Sequence, residues 1–245
     1  YSSAVLVSLI GVQMWPHLFM KAFTAKNNDI IRKTTILFPT FWLFLIPVFL
    51  IGFTGVLFPE KPPTSDFVLP FMIMQTDLPP LIVGLFCAGA LSASMSTGDA
   101  LLHGSASVVE EDAVRLFVKL DDKQAQTLMR FLIVIVGVAS YLLALGDHSS
   151  LVDLLLASYG IICQLAPTVL AAIYWKRATT IGILAGLTSG VFVTTILFVS
   201  NQLTPFGLHE GILGLLTHIP VLIIVSLLTE PQREEHVEGF MGNKL

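Results

Sequence analysis

Residues 87–112 of this 245-residue chain read CAGALSASMSTGDALLHGSASVVEED. Within them Ser92, Ser96, Asp99, His103, Ser107 and Glu110 follow one another at separations of 4, 3, 4, 4 and 3 residues. Those are helical intervals, so the six polar side chains share one face of a helix, with Thr97 at its border. Through the span's apolar length, Asp99 is the one acid and there is no Lys or Arg. An ionisable group in mid-membrane costs roughly 2.5–3.5 kcal/mol on insertion scales and by default marks a substrate or ion path. Hydroxyls and carbonyls are the ligands a hard cation takes. One reading is therefore a Na+ site at the Ala93 carbonyl and the Ser96 and Thr97 hydroxyls. In a second, the hydroxyls bond back to carbonyls one turn earlier and hold no ion. In a third, Ser92, Asp99 and His103 form an ion or proton path.

The same stretch is rich in small residues, among them Ala88, Gly89, Ala90, Ala93, Gly98 and Gly104. Small residues let helix backbones approach closely in lipid, which places this helix inside a bundle. A second signal is GVQMWPHLFMKAF at residues 11–23. Pro16 removes a backbone donor within an apolar run. Either the helix breaks there and frees carbonyls at membrane depth, as discontinuous transporter helices do, or it carries a simple kink with Trp15 and His17 packed against neighbours.

The elements that must hold these residues follow from composition. Hydrophobic residues make up 54% of the chain and charged residues 12%, against about 25% charged in soluble domains. The mean hydropathy is +0.82. Too few charges are present to cover a soluble domain of this size, and disorder needs the opposite composition. The net charge of −4 carries no basic footprint for nucleic acid. The reading is an all-α integral membrane protein.

A membrane helix needs about 20 mostly apolar residues. Seven stretches qualify, approximately Ala4–Phe23, Ile36–Phe58, Pro80–Val109, Leu128–Leu145, Leu151–Trp175, Thr179–Ser200 and Gly211–Thr229. With these spans, 12 of the 13 Lys and Arg residues fall on one side and Lys61 alone on the other. The basic side is expected to be cytoplasmic, and with it the C-terminus. The Pro-rich connection between Pro59 and Pro80 is external, and Asp66–Gln75 within it is either a small surface helix or a plain loop. The charged stretch from Glu110 to Lys123 reads as a solvated continuation of the third helix. Cys87 and Cys163 read as packing residues. The chain opens at Tyr1 inside an apolar run, which we read as a segment of a larger protein.

Two stretches resemble the sodium/solute symporter family. Trp15-Pro16-His17 with the basic exit through Lys26 is similar to that family's Gln-Pro-His helix. Ser92-Ala93-Ser94-Met95-Ser96-Thr97-Gly98-Asp99, with Ser105-Ala106-Ser107 and Glu111-Asp112, resembles its Met-Ser-Thr-x-Asp-Ser helix and Glu-Asp exit. The resemblance implies a LeuT-like inverted-repeat fold. Residues 1–175 would be the second five-helix repeat, 176–230 two additional helices and 231–245 a cytoplasmic tail, with the first repeat absent from this chain. It implies Na+ ligation by Ala93, Ser96 and Thr97, and substrate contacts at Met14, Trp15 and Pro16. Ala100 stands where many members have Ser, which removes a hydroxyl.

Together these imply a sodium-coupled symporter that imports a small organic solute by alternating access, multi-pass in the plasma (inner) membrane. Its partners would be the solute, Na+, the lipid bilayer and the missing repeat, with no nucleic acid, no organic cofactor and no enzymatic step. The alternatives are a proton-coupled permease of the same fold, using Asp99 and His103, and a membrane sensor with a transporter-like domain.

Overall fold

A computed structural model describes residues 1–146, 150–200, 207–233, 235 and 237. Among them secondary structure is entirely helical. In chain order the helices are α1 (Ser2–Gly11), α2 (Pro16–Phe23), α3 (Asn28–Phe41), α4 (Leu45–Thr54), α5 (Val68–Met74), α6 (Pro80–Val108), α7 (Asp122–Gly146), α8 (Leu151–Ile162), α9 (Leu165–Tyr174), α10 (Thr180–Ser200) and α11 (Glu210–Leu228). Much of the C-terminal tail, including Lys244, lies outside the described residues.

Among the described residues, six continuous or nearly continuous helical segments are long and apolar enough to cross a membrane: Asn28–Leu57, Pro80–Val114, Asp122–Leu145, Leu151–Tyr174, Thr180–Ser200 and Glu210–Leu228. The seventh expected span, Ala4–Phe23, is not continuous. A 3-10 turn at Val12–Met14 follows α1, and Trp15 is extended at φ −59°, ψ 125°. Pro16 then opens α2, its fixed φ and missing N–H suiting a helix start. Of the two readings of Pro16, the structure holds the break.

Element boundaries follow local chemistry. The segment α3–α4 starts eight residues before the expected Ile36, because Asn27 caps it by accepting from Ile30 N at 2.9 Å. Pro47 cannot donate to Leu43 O, and the turn just before it, Trp42–Phe44, tightens to 3-10. Helix α7 starts six residues before Leu128. Gln124 reaches back to accept from Asp121 N at 3.1 Å, half of a capping box. The Pro-rich stretch 59–80 holds a small helix, α5, preceded by a 3-10 turn at Ser65–Phe67. The fifth span is divided at Cys163–Gln164 into α8 and α9, four residues before a proline that cannot donate to Cys163 O.

The chain forms two compact units, Tyr1–Phe19 with Leu151–Leu245, and Met20–Ser150. In the first, α10 and α11 pack antiparallel through small residues: Gly182 meets Ser226, Gly186 meets Leu222, Gly190 meets His218 and Gly214 meets Thr194. All eight of these residues are buried. Lipid tails are as apolar as Leu, so association depends on close backbone approach and interhelical hydrogen bonds. At one end Arg177 donates to Ser226 O at 2.6 Å, Leu227 O at 3.1 Å and Thr229 O at 2.8 Å, satisfying the last carbonyls of α11 and complementing its dipole. A small apolar cluster of Val7, Cys163 and Leu215 joins α1, the α8–α9 junction and α11. In the second unit α6 packs on α7, with Leu102 across from Gly137.

Candidate functional site

The polar face of α6 is present as the spacing predicts. Ser92, Ser96, Thr97, Asp99 and His103 are exposed, Ser107 is half-buried and Glu110 is buried. Ser96 Oγ donates to Ala93 O at 2.9 Å, and Thr97 Oγ1 donates to the same oxygen at 3.3 Å. Three oxygens thus converge on one point of the helix. The back-bonding reading describes the arrangement in this structure. It also leaves each hydroxyl's lone pairs directed away from Ala93, so the cluster presents oxygen to whatever approaches the face. Among the described residues no group of three or more His, Cys, Asp or Glu is arranged to hold a metal, so a cation here depends on hydroxyls and carbonyls.

Glu110 departs from the solvated face expected for 110–123. It is 1% exposed. Helix α6 passes into a π turn at Val109–Val114, and Arg115 Nε reaches Glu110 Oε1 at 2.7 Å. That hydrogen bond raises the Arg115 pKa above the ordinary guanidinium value. A carboxylate at a span's end tolerates burial when it is paired in this way.

At the α1–α2 break, the Trp15 carbonyl accepts from Leu18 N at 2.9 Å and Phe19 N at 2.8 Å. It is the first acceptor of α2. Met14, Trp15 and Pro16 are half-buried. The Trp15 ring meets Tyr159 of α8 edge-on, with centroids 5.7 Å apart at 86°, and His17 at 5.8 Å. Gly11 lets α1 approach α8, since a Cβ there would lie 3.1 Å from Tyr159 Cδ1. His17 Nδ1 is buried with no hydrogen-bond partner. Tyr159 escaped the sequence reading because an aromatic residue in an apolar span carries no positional signal.

The α8–α9 junction holds a further polar centre. Gln164 N bonds Ile161 O rather than Gly160 O. Gln164's own amide takes up Gly160 O at 3.1 Å, together with Gly211 O at 3.0 Å and Thr194 Oγ1 at 3.4 Å. One side chain thereby ties α8, α10 and α11. Gln164 and His218 are both fully buried, and Thr168 Oγ1 lies 3.4 Å from His218 Nε2. Gln164 Oε1 and His218 Nδ1 have no partner. A lone Gln beside a proline and a lone His within apolar spans were the available sequence signals for both.

Six membrane-length helices, a broken helix and a polar intramembrane face define a multi-pass membrane protein built around polar positions at membrane depth. The sequence model of the Sodium:solute symporter family matches residues 2–190, and the chain belongs to that family. It is 26% identical over 242 residues to the "Uncharacterized symporter YhjB" of Bacillus subtilis, covering 94% of this chain and 50% of that protein. It is 28% identical over 244 residues to the "Osmoregulated proline transporter OpuE" of the same organism, with 94% and 50% covered. A "Sodium/proline symporter" of Staphylococcus aureus is 27% identical over 237 residues, covering 88% and 45%. The chain spans about half the length of these relatives. No solved structure matches it.

Proposed function

We propose that this chain is the C-terminal part of a Na+-coupled symporter that carries a small organic solute inward by alternating access. The observation that carries the reading is the convergence of Ala93 O, Ser96 Oγ and Thr97 Oγ1 on an exposed face of a membrane-depth helix. A hard monovalent cation takes such neutral oxygens, and the remaining ligands come from the part of the protein that covers this face. Asp99 and His103, one turn apart on the same face, line the ion's path. Met14, Trp15 and Pro16 at the broken helix contact the solute, and Tyr159 sets the Trp15 ring. Na+ acts by binding one gate state better than the other, since coupling equals that differential affinity. No covalent step and no organic cofactor is involved.

In this reading residues 1–175 are the second inverted repeat and 176–230 two further helices. A first repeat in the remaining half of the protein supplies the other half of both sites. The Lys- and Arg-rich loops face the cytoplasm with the C-terminus, and the membrane is the plasma (inner) membrane. Two of the relatives carry proline in their names, so proline heads the panel of solutes to test.

Radiolabelled uptake by the full-length protein, with and without Na+, tests the reading. Ser96→Ala and Thr97→Ala should each raise the Na+ concentration for half-maximal uptake about 5- to 50-fold, the loss of one or two good ligand contacts. Unchanged Na+ dependence in both variants sinks the site. Uptake driven by a pH gradient alone, and lost in Asp99→Asn, replaces Na+ coupling with the proton-coupled alternative.

A further inference from the structure

Glu110 and Arg115 are five residues apart, and that separation is informative. In an α-helix residues i and i+5 point about 140° away from each other and cannot pair. A π turn holds one more residue and brings i+5 back over i. The bond from Arg115 N to Glu110 O at 3.1 Å is the backbone closure of that turn. The contact from Arg115 Nε to Glu110 Oε1 at 2.7 Å closes the same two residues through their side chains. Each closure depends on the other. Without the extra residue the side chains cannot meet. Without the side-chain pair a fully buried carboxylate is left uncompensated.

We infer that the π turn Val109–Val114 and the Glu110–Arg115 pair form a register latch at the C-terminal end of α6. When the latch is closed, the rotation of α6 relative to α7 is fixed, because the turn touches α7 and only a short link, 115–121, separates the two helices. When the pair opens, Glu110 leaves its buried place and the turn relaxes to α-helical bonding. Residues beyond it then rotate relative to α6 by about 100°, one residue's worth. A continuous helix carries that rotation to Ser96, 14 residues and roughly 21 Å up the axis. Opening and closing thus turns the Ala93, Ser96 and Thr97 oxygens toward or away from their remaining ligands. Charged groups that face the pair from the turn itself are Glu111, whose Oε1 lies 3.4 Å from Arg115 Nε, and, from α7, Asp122. Both attract Arg115, and Glu111 shares its Nε with Glu110, the shorter contact being to Glu110. The functional consequence rests on the symport reading; the latch rests on the geometry.

Two variants of the full-length protein separate charge from register. Glu110→Gln keeps the shape and the residue count but removes the charge. Deleting Ala113 removes the extra residue and leaves Glu110 and Arg115 at an i,i+4 spacing, where an α-helix pairs them without a π turn. Glu110→Gln should shift the Na+ concentration for half-maximal uptake by about fivefold or more, the size of an ordinary coupling between sites. The deletion should keep Na+-dependent thermal stabilisation of the purified protein while lowering the uptake rate at saturating Na+ at least tenfold, since the register can no longer change. Wild-type Na+ dependence in Glu110→Gln, or a wild-type rate in the deletion, overturns the latch. Ser96→Ala and Thr97→Ala are the controls that keep the two hypotheses apart: if either moves Na+ dependence while Glu110→Gln does not, the latch fails and the Na+ site stands; if none of the three moves it, the Na+ site at Ala93, Ser96 and Thr97 fails as well.

Discussion

Gly186→Ala tests the antiparallel interlock of α10 and α11. The added Cβ would lie 2.6 Å from Leu222 Cβ and 2.7 Å from His218 Cδ2. Carbon pairs settle at about 3.5–4.0 Å, so roughly 1 Å has to be found. Leu222 Cβ is fixed to its backbone, so rotating a side chain cannot supply that space and the helices must separate. Overpacking of this kind costs about 1–3 kcal/mol. Alanine's better helix propensity returns up to about 1 kcal/mol. The expected net is a destabilisation of about 1–2 kcal/mol, read as a fall of about 1–2 °C in the thermal midpoint of the purified full-length protein followed by tryptophan fluorescence, because a protein about twice this length has a proportionally larger unfolding entropy. Gly52→Ala is the matched control, because nothing lies within 4 Å of the position its Cβ would take. It should melt at or slightly above the wild-type temperature. A Gly186→Ala protein as stable as wild type, or a Gly52→Ala protein that falls as far, would refute the argument from close approach.

Three other outcomes follow from the same contacts. Gln164→Leu removes the amide donor from Gly160 O, Gly211 O and Thr194 Oγ1. At about 0.6 kcal/mol per polar contact in a membrane, it should destabilise by about 1–2 kcal/mol, measured in the same melting assay, with Thr194→Val costing less. Tyr159→Ala should raise the KM for solute by up to about tenfold through loss of the edge-on contact to Trp15, while Tyr159→Phe, which keeps the ring, should transport like wild type. Arg177→Ala leaves three carbonyls at the end of α11 without their donor; a loss of about 1 kcal/mol is expected after allowing for its partial exposure, and Arg177→Lys, which cannot fork, should recover only part of it.

Much of the fold was legible because membrane helices announce themselves. Six of the seven expected spans coincide with continuous or nearly continuous helical segments among the described residues, since some 20 apolar residues in lipid have few other ways to satisfy their backbone groups. The face of α6 was equally legible, being a matter of helical period alone. Pro16 marked a place where the first span would kink or break, and which of the two occurs depends on neighbours: α1 is drawn against α8 at Gly11, and Trp15 swings out to meet Tyr159. The break in the fifth span went unread because one Gln and one Pro do not interrupt a run that is long and apolar enough to count as a single span. Glu110 was misplaced for a related reason. A charged run reads as a wet surface unless one knows that a π turn brings Arg115 over it.

From sequence alone, then, come the properties that are sums or periods along the chain: a membrane protein, the positions of most of its spans, and one helix face bearing hydroxyls, Asp99, His103 and Glu110. These depend on burial in lipid and on 3.6 residues per turn, and neither needs a partner to be specified. Tertiary structure decided what depends on which atoms meet. It drew the Gln164 amide onto Thr194 and Gly211 as well as its own helix, set the Trp15 ring edge-on against Tyr159, and hung the end of α11 on Arg177. Hydrogen bonds act over about 3 Å and only at the right angle. Such contacts are set by the packing of distant segments, which no local pattern encodes.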